Sequence, residues 1–472
     1  MKVKHTEIKF SRDMYRQLYD YLLADHNEKH AFLFGRKVEG GNRLVTLVDK
    51  LVLFDTDEID ISPSHVTIDS SLANGVFQKF AQSDYDVLIS CHSHPFENGR
   101  VWFSGIDDTN DHHLFSYFYQ EILPFKKGGE MFTMVFGRHT IAARGYDMRF
   151  RKFVPLQRIT VMDYPMCYIL PTNVENGQRG KGGDKEIYDR QIRAFGEKGQ
   201  EDLSRLKVAL IGVGGTGSII AEGLVRLGVK HLVLVDADRL EMSNLNRWQG
   251  GELRYVGQYK VNITKKRLKR MAKQVRIRAM AKDLFSKEVV DEIKTCDILI
   301  GAVDGDKARY VLNRIALTYM IPYVDVASGI LLEDGKLQQV STRNIVVVPS
   351  VTECLSCTEN YIDKSKLAYE LVTPSIRREL IRRKYIKGDD EVNEPAPAVY
   401  GLNMLSVSTL LLELMNLVFG YKAPYGNVHI NYLNMQQPLS RAWDIEKPSN
   451  NCFECQDRLG MGDEERVWEM FA

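Results

Sequence analysis

The sequence predicts an α/β protein whose second half is a doubly wound, mostly parallel sheet, preceded by a separate α+β domain. Three observations lead there. Beyond about residue 186, short apolar runs (KVALIGVG, KHLVLVDAD, CDILIGAVD, IPYVDVAS) alternate with helical stretches such as SIIAEGLVRLG, the rhythm of strand–helix–strand units. Upstream, strands and helices follow one another without that rhythm. Between the halves lies NVENGQRGKGGDKE, polar and glycine-rich like a linker. A chain of 472 residues suits two or three domains. The expected division is 1–158, a linker over 159–185, and 186–472.

The first half opens with a helical pattern over residues 11–25, with Met14, Leu18, Tyr21 and Leu22 on one stripe. HAFLFGR, RLVTLVDKLVLF and DVLISCHSH read as strands. A helix is expected over 107–122, and MFTMVFGRHTIAARGYD reads as a strand pair.

Composition is that of a soluble globular protein, 44% hydrophobic and 26% charged, with a formal net charge of +1. No basic excess points to nucleic acid and no acidic tail to a basic partner. The opening MKVKHTEIKFSRDMY lacks the apolar core of a signal peptide, so a cytoplasmic protein is expected. The run AVYGLNMLSVSTLLLELMNLVFGY is long enough to span a bilayer. It carries Asn403, Glu413 and Asn416 inside a domain that needs a buried helix there, and no membrane association is expected.

The second half carries a nucleotide signature. GVGGTG, from Gly212 through Gly214 and Gly215 to Gly217, follows a strand and opens a helix, so backbone N–H groups and the helix N-terminus can meet a phosphate. Asp236 ends the next strand at the spacing of a ribose-binding carboxylate. These residues alone point first to an NAD-dependent oxidoreductase. Asp236 then opens DADRLEMSNLNR, followed by VGQYK and GAVDGDKAR, with YDRQIRAFGEKGQEDL upstream. In this order the segments resemble the MoeB/ThiF/ubiquitin-activating superfamily, over roughly residues 186–455.

The resemblance implies a Rossmann-like adenylating domain using ATP and Mg²⁺. In it Asp236 and Asp238 belong to the nucleotide site, and Asp236 binds ribose. Asn244, Arg247 and Lys260 bind phosphates, and Asp304 holds the metal. Arg190 matches an arginine that in relatives reaches the partner subunit's site, which implies a homodimer. The charges suit attack of a carboxylate on the α-phosphate with loss of pyrophosphate, for which a dehydrogenase site supplies no cations.

Four of the seven cysteines form two CxxC pairs, Cys354/Cys357 and Cys452/Cys455. Without a secretion signal these read as zinc ligands before disulfides. Relatives hold a structural zinc on two such pairs, and four thiolates leave no open position for catalysis. Many relatives also carry an acceptor cysteine near the crossover loop. Here no cysteine lies between Cys357 and Cys452, so adenylation without a thioester step is expected, Cys167 being the alternative acceptor.

In the first half, His92 and His94 stand two apart at the end of a strand, and Asp107 opens a helix in Ser104-Gly-Ile-Asp107. Alternate strand positions share a face, so both imidazoles can meet one metal ion with the aspartate. HSHP with SGID, preceded by Trp102, resembles the JAMM (JAB/MPN⁺) metalloprotease signature. The glutamate that family needs seven residues before a glycine is met by Glu28 and Gly35. The resemblance implies a catalytic zinc on His92, His94 and Asp107, Glu28 as general base, and Ser104 as oxyanion donor.

Both resemblances concern the C-terminal tail of a ubiquitin-like or sulfur-carrier β-grasp protein. They imply an enzyme that adenylates that tail and cleaves the bond after it, with a conjugating enzyme or sulfurtransferase as a further partner. The final VWEMFA lacks Gly-Gly, so the chain is not expected to be the modifier. The alternatives are carrier activation for cofactor synthesis and a first half that docks without cutting.

Overall fold

The computed structural model describes residues 5–41, 43–55, 59–62, 65–96, 99–174, 186–333, 335–358, 361–362, 367, 382, 397–422, 425–431, 440–444 and 447–465. The chain forms two compact units, one of Met1–Lys181 with Gly460–Glu465, the other built on Gly182–Leu459.

The first unit is a nine-stranded sheet in the order Cys167–Ile169, Arg158–Val161, His5–Phe10, Arg43–Leu53, His30–Gly40, Val87–Ser93, Glu130–Phe136, Ile141–Asp147, Lys152–Pro155. His5–Phe10 runs parallel to both neighbours and Val87–Ser93 parallel to Glu130–Phe136, and the other pairs are antiparallel. The central strands are apolar on both faces because both faces are covered. Ala31, Leu33 and Ile89 pack with Leu18 and Leu22 of the helix Arg12–Leu22, which Ser11 caps. Phe32, Phe34 and Leu88, on the other face, pack with Phe77 and Phe80 of Ser70–Gln82 and with Phe115 of Gly105–Tyr117. The expected 107–122 helix thus starts at Gly105 and ends in a π turn, Phe118–Ile122.

Two features depart from the expected boundaries. Arg158–Val161 and Cys167–Ile169 pair into the first sheet, so residues 159–169 do not belong to a linker. Only the glycine-rich part has linker composition, and its residues 175–185 lie outside the described ones. The segment Gly460–Glu465 also joins the first unit. Glu464 Oε1 lies 2.9 Å from Arg36 Nε, and a Cβ on Gly462, at φ +58°, would come within 3.3 Å of Val38.

The second unit is an eight-stranded sheet in the order Arg276–Met280, His231–Val235, Lys207–Ile211, Ile298–Gly301, Tyr323–Glu333, Lys336–Val347, Tyr425–Asn431, Ser440–Asp444. The first five strands are parallel and the last three join antiparallel. Strand order reverses about Lys207–Ile211, and the crevice beyond the carboxyl ends there is where such sheets take ligands. The long apolar segment is the helix Tyr400–Phe419, by length and composition able to cross a membrane, with 56% of its most apolar window buried inside the protein. It lies so close to the helix Gly215–Leu227 that a Cβ on Gly223 would come within 2.6 Å of Leu411. Of its polar residues, Glu413 is paired with Lys422 Nζ at 2.8 Å.

Candidate functional site

The crevice of the second unit is a cavity of about 990 Å³. Gly212, Gly214, Gly215, Asp236, Asp238, Asn244, Arg247, Lys260 and Asp304 all line it. The glycines have separate reasons. Gly212 sits at φ +87°, and a Cβ there would meet Ala302 O at 2.3 Å. A Cβ on Gly217 would meet Gly212 O at 1.9 Å, so this glycine closes the turn and does not line the cavity. Beside Gly214 there is open space, and it caps the helix Gly215–Leu227, whose first N–H groups have no partner within the helix. That is a cradle for a phosphate.

Asp236 accepts from Val213 N at 2.6 Å and Asp238 N at 2.8 Å, one bond on each oxygen, which leaves lone pairs for a vicinal diol. Burial pushes its carboxyl up, against the pull of those N–H groups and of Lys260. Lys260 Nζ is held at 2.8 Å by Asp238. Trp248 donates its indole N–H to Val213 O at 2.7 Å and docks the SNLNRW segment on the glycine turn. Beside it, Arg247 Nη1 donates to Ser243 O at 2.6 Å. Asp304 is exposed at the rim, with no hydrogen bond or ion pair among the described residues. The donor set fits a nucleoside triphosphate with a divalent cation. Arg190, exposed on the helix Asp189–Arg205, does not line this cavity.

Sequence reasoning missed part of the wall. Arg309, Arg343, Tyr361, Asn403 and His429 also line it. Behind them sits Asp325, fully buried, accepting the hydroxyls of Tyr323 and Tyr361 and facing Arg309 Nε at 3.3 Å. A lone aspartate inside the apolar strand IPYVDVAS was the available signal, since a buried carboxylate demands partners.

The four CxxC sulfurs converge. Every pair of them lies within 4.8 Å, with Cys357 and Cys455 at 3.5 Å and Cys354 and Cys452 at 3.8 Å. Hydrogen bonding among the sulfurs lowers the Cys357 thiol and raises that of Cys354. Such a donor set fits one tetrahedral metal ion. Much of the crossover region, 363–396, where an acceptor cysteine sits in relatives, lies outside the described residues.

In the first unit, ligand atoms of His92, His94 and Asp107 also lie within 4.8 Å of one another. His92 and His94 leave the end of Val87–Ser93 on the face that carries Leu88. Asp107 arrives from the first turn of Gly105–Tyr117, where Ser104 Oγ accepts from Asp107 N and Asp107 Oδ2 accepts from Ser104 N at 2.6 Å. Asp107 Oδ1 lies 3.0 Å from His92 Nε2, and Oδ2 lies 3.6 Å from His94 Nε2. Burial opposes the charge on Asp107, but the hydrogen bond and charge of His92 hold its carboxyl far below the usual range. Burial and the neighbouring His92 lower His94 to about 4, which keeps a neutral imidazole for a metal. Glu28 sits just before the strand His30–Gly40, buried, with Oε1 3.8 Å from His94 Nε2. Two imidazoles and a carboxylate fit one metal ion, with a second carboxylate nearby.

The sequence profile of the ThiF family matches residues 188–455, all of them within the second unit. The chain is 36% identical over 233 residues to the tRNA threonylcarbamoyladenosine dehydratase of Bacillus subtilis, a match covering 46% of this chain and 91% of that protein. It is 33% identical over 145 residues to the sulfur carrier protein adenylyltransferase of Thermus thermophilus, covering 30% of this chain and 54% of that one. With SUMO-activating enzyme subunit 2 of Dictyostelium discoideum it shares 31% identity over 173 residues, 36% of this chain and 25% of that one. The chain thus spans about half of the Thermus protein and a quarter of the Dictyostelium one.

Proposed function

Because this chain belongs to the ThiF family over residues 188–455, we propose that its second unit adenylates the C-terminal carboxylate of a ubiquitin-like or sulfur-carrier β-grasp protein. The observation that carries this reading is the single cavity joining the glycine turn, Asp236, Arg247, Lys260 and Asp304. The tail carboxylate attacks the α-phosphorus of ATP, the bond to the bridging oxygen breaks, and pyrophosphate leaves with that oxygen. Asp236 holds the ribose hydroxyls, and the helix N-terminus at Gly214 and Gly215 takes a phosphate. Lys260 exchanges Asp238 for phosphate oxygens, and Arg247 joins it, neutralising charge that grows on the leaving group. Magnesium, held by Asp304, would supply further positive charge to the triphosphate. Arg190 acts from a second copy of the chain, in a homodimer.

For the first unit the proposal is a metalloprotease that cuts after such a tail, in a precursor or a conjugate. Zinc on His92, His94 and Asp107 would supply a Lewis acid and ease deprotonation of water. Glu28 takes the proton of the attacking water and returns it to the leaving amine. Ser104, whose Oγ accepts from Asp107 N, keeps its hydroxyl hydrogen for the developing oxyanion. The test of the adenylating reading is ATP–pyrophosphate exchange with purified protein and candidate Gly-ending β-grasp proteins. Exchange that requires such a protein is the expected result. Its absence with every candidate would remove the protein tail from the reading.

A second reading follows from the relative most of whose length the chain spans, which acts on a modified tRNA nucleoside by its name. A carboxylate borne on RNA would use the same cavity. Exchange stimulated by tRNA and indifferent to protein tails would establish that alternative.

The cysteine set is proposed to hold a structural zinc whose binding contributes to folding. Cys357→Ser is expected to lose one metal equivalent and to lower the melting temperature by roughly 5–10 °C. Metal counting with calorimetry checks this, and a variant that melts like the parent without the metal would refute the structural role.

A further inference from the structure

Both cysteine knuckles grip the same helix. Leu355, inside the first pair, donates its N–H to Asn313 Oδ1 at 2.9 Å. Glu454, inside the second pair, accepts the Tyr310 hydroxyl at 2.7 Å and faces Arg314 Nε at 3.6 Å. Arg314 Nη1 in turn donates to Tyr310 Oη at 3.3 Å. Asn313, Arg314 and Glu454 are buried, at 0%, 4% and 6% exposure. The gripped residues Tyr310, Asn313 and Arg314 all belong to the helix Asp306–Thr318. At ~1.5 Å of rise per residue they stand within about a turn and a half of Arg309.

The other end of that helix is a wall of the nucleotide cavity. Val303, Asp304, Ala308 and Arg309 line it. Arg309 Nη2 donates to Val303 O at 3.0 Å, so the first turn of the helix also holds the loop that carries Asp304. Among the described residues, the buried Glu454 carboxylate accepts from Tyr310 through Oε1 and faces the Arg314 guanidinium through Oε2, which has no hydrogen bond of its own. A shift of the helix would leave that buried carboxylate without its cation and its hydroxyl donor, an unfavourable state out of water. The grip therefore fixes the helix in register along its axis.

We propose that Glu454 is a positioning residue of the nucleotide site: through Tyr310 and Arg314 it sets the helix Asp306–Thr318 so that Asp304 and Arg309 meet the ligand. The inference rests on the reading of that cavity as an ATP site. It makes the cysteine cluster the anchor of a cavity wall as well as a fold staple.

The test is calorimetric titration of the full chain with ATP and Mg²⁺, with cysteine-bound metal counted in each variant. Glu454→Ala is expected to keep its metal and its cooperative melting while the Kd for ATP rises about tenfold. Glu454→Gln still accepts from Tyr310 and should recover most of that loss, leaving a rise of about threefold. Tyr310→Phe, which removes one hydroxyl and touches no cysteine, should also weaken binding. Added to Glu454→Ala it should cost nothing more, because both act through one contact. Parental ATP affinity in Glu454→Ala with metal retained, or additive losses in the pair, would overturn the proposal. Should Glu454→Ala lose its metal or fail to fold, Tyr310→Phe decides, and unchanged affinity there overturns it as well. A parent protein that does not bind ATP would instead remove the reading of the cavity.

Discussion

Asp304→Ala is expected to reduce ATP–pyrophosphate exchange by about 10²–10³-fold and to leave the melting temperature where it was. The two halves of that expectation come from the same observation. Asp304 lines the cavity yet is exposed at its rim and bonds to nothing among the described residues. Its removal therefore costs the fold little, as surface substitutions outside a network do. What it removes is a carboxylate suited to hold a divalent cation beside the triphosphate, in a site that also presents the cations Lys260, Arg247, Arg309 and Arg343. Lys260→Ala makes the contrasting case. Lys260 is buried and paired with Asp238 at 2.8 Å, so that variant should lose exchange and some stability together. Exchange is measured as ATP formation from labelled pyrophosphate, with melting followed in parallel. Asp304→Ala that exchanges at the parental rate would sink the assignment of this residue.

Glu28→Gln should lower cleavage of a tail-extended β-grasp protein by about 10³-fold, within the range for loss of a general base, while metal content stays at the parental level. Glu28 stands 3.8 Å from His94, near the three clustered ligand atoms but apart from them. Glutamine keeps the size of the buried side chain and loses the basic oxygen. His94→Ala should differ, losing metal and cleavage together, since it removes one of three ligands. Adenylation in the second unit should be unaffected by either change. If Glu28→Gln cleaves normally, the first unit does not use this carboxylate as its base. If neither parent nor variant cleaves any such protein, the unit is a docking module.

Much of both sites was legible because their chemistry demands particular residues at short spacings. The glycine turn could be read because a Cβ at Gly212 or Gly217 collides with backbone. His92 and His94 could be read because strand periodicity is two. Asp107 followed from a helix start, which the Ser104 capping box makes explicit. Other residues gave no local signal. Arg309, Asp325 and Tyr361 meet only because strands and loops distant in sequence converge on one point, and Glu454 is visible only once the second cysteine pair is folded against the helix Asp306–Thr318. Gly217 was read as touching the ligand when its missing side chain serves the turn itself. The boundary at 159 failed for a related reason: a short strand such as Arg158–Val161 is identified by its partner His5–Phe10, which stands at the far end of the domain in sequence.

The segment Gly460–Glu465 has a consequence for how the protein can be taken apart. Residues from beyond Leu459 complete the surface of a unit that otherwise ends near Lys181, so the first unit is discontinuous in the gene. Cutting the gene at the glycine-rich stretch would yield a first fragment with Arg36 deprived of Glu464 and with Val38 uncovered where Gly462 lay. In the intact chain that hexapeptide is tethered and held at high effective concentration; supplied as a free peptide it would have little hold. A self-sufficient first fragment is better made by fusing 460–465 to it through a linker than by truncation.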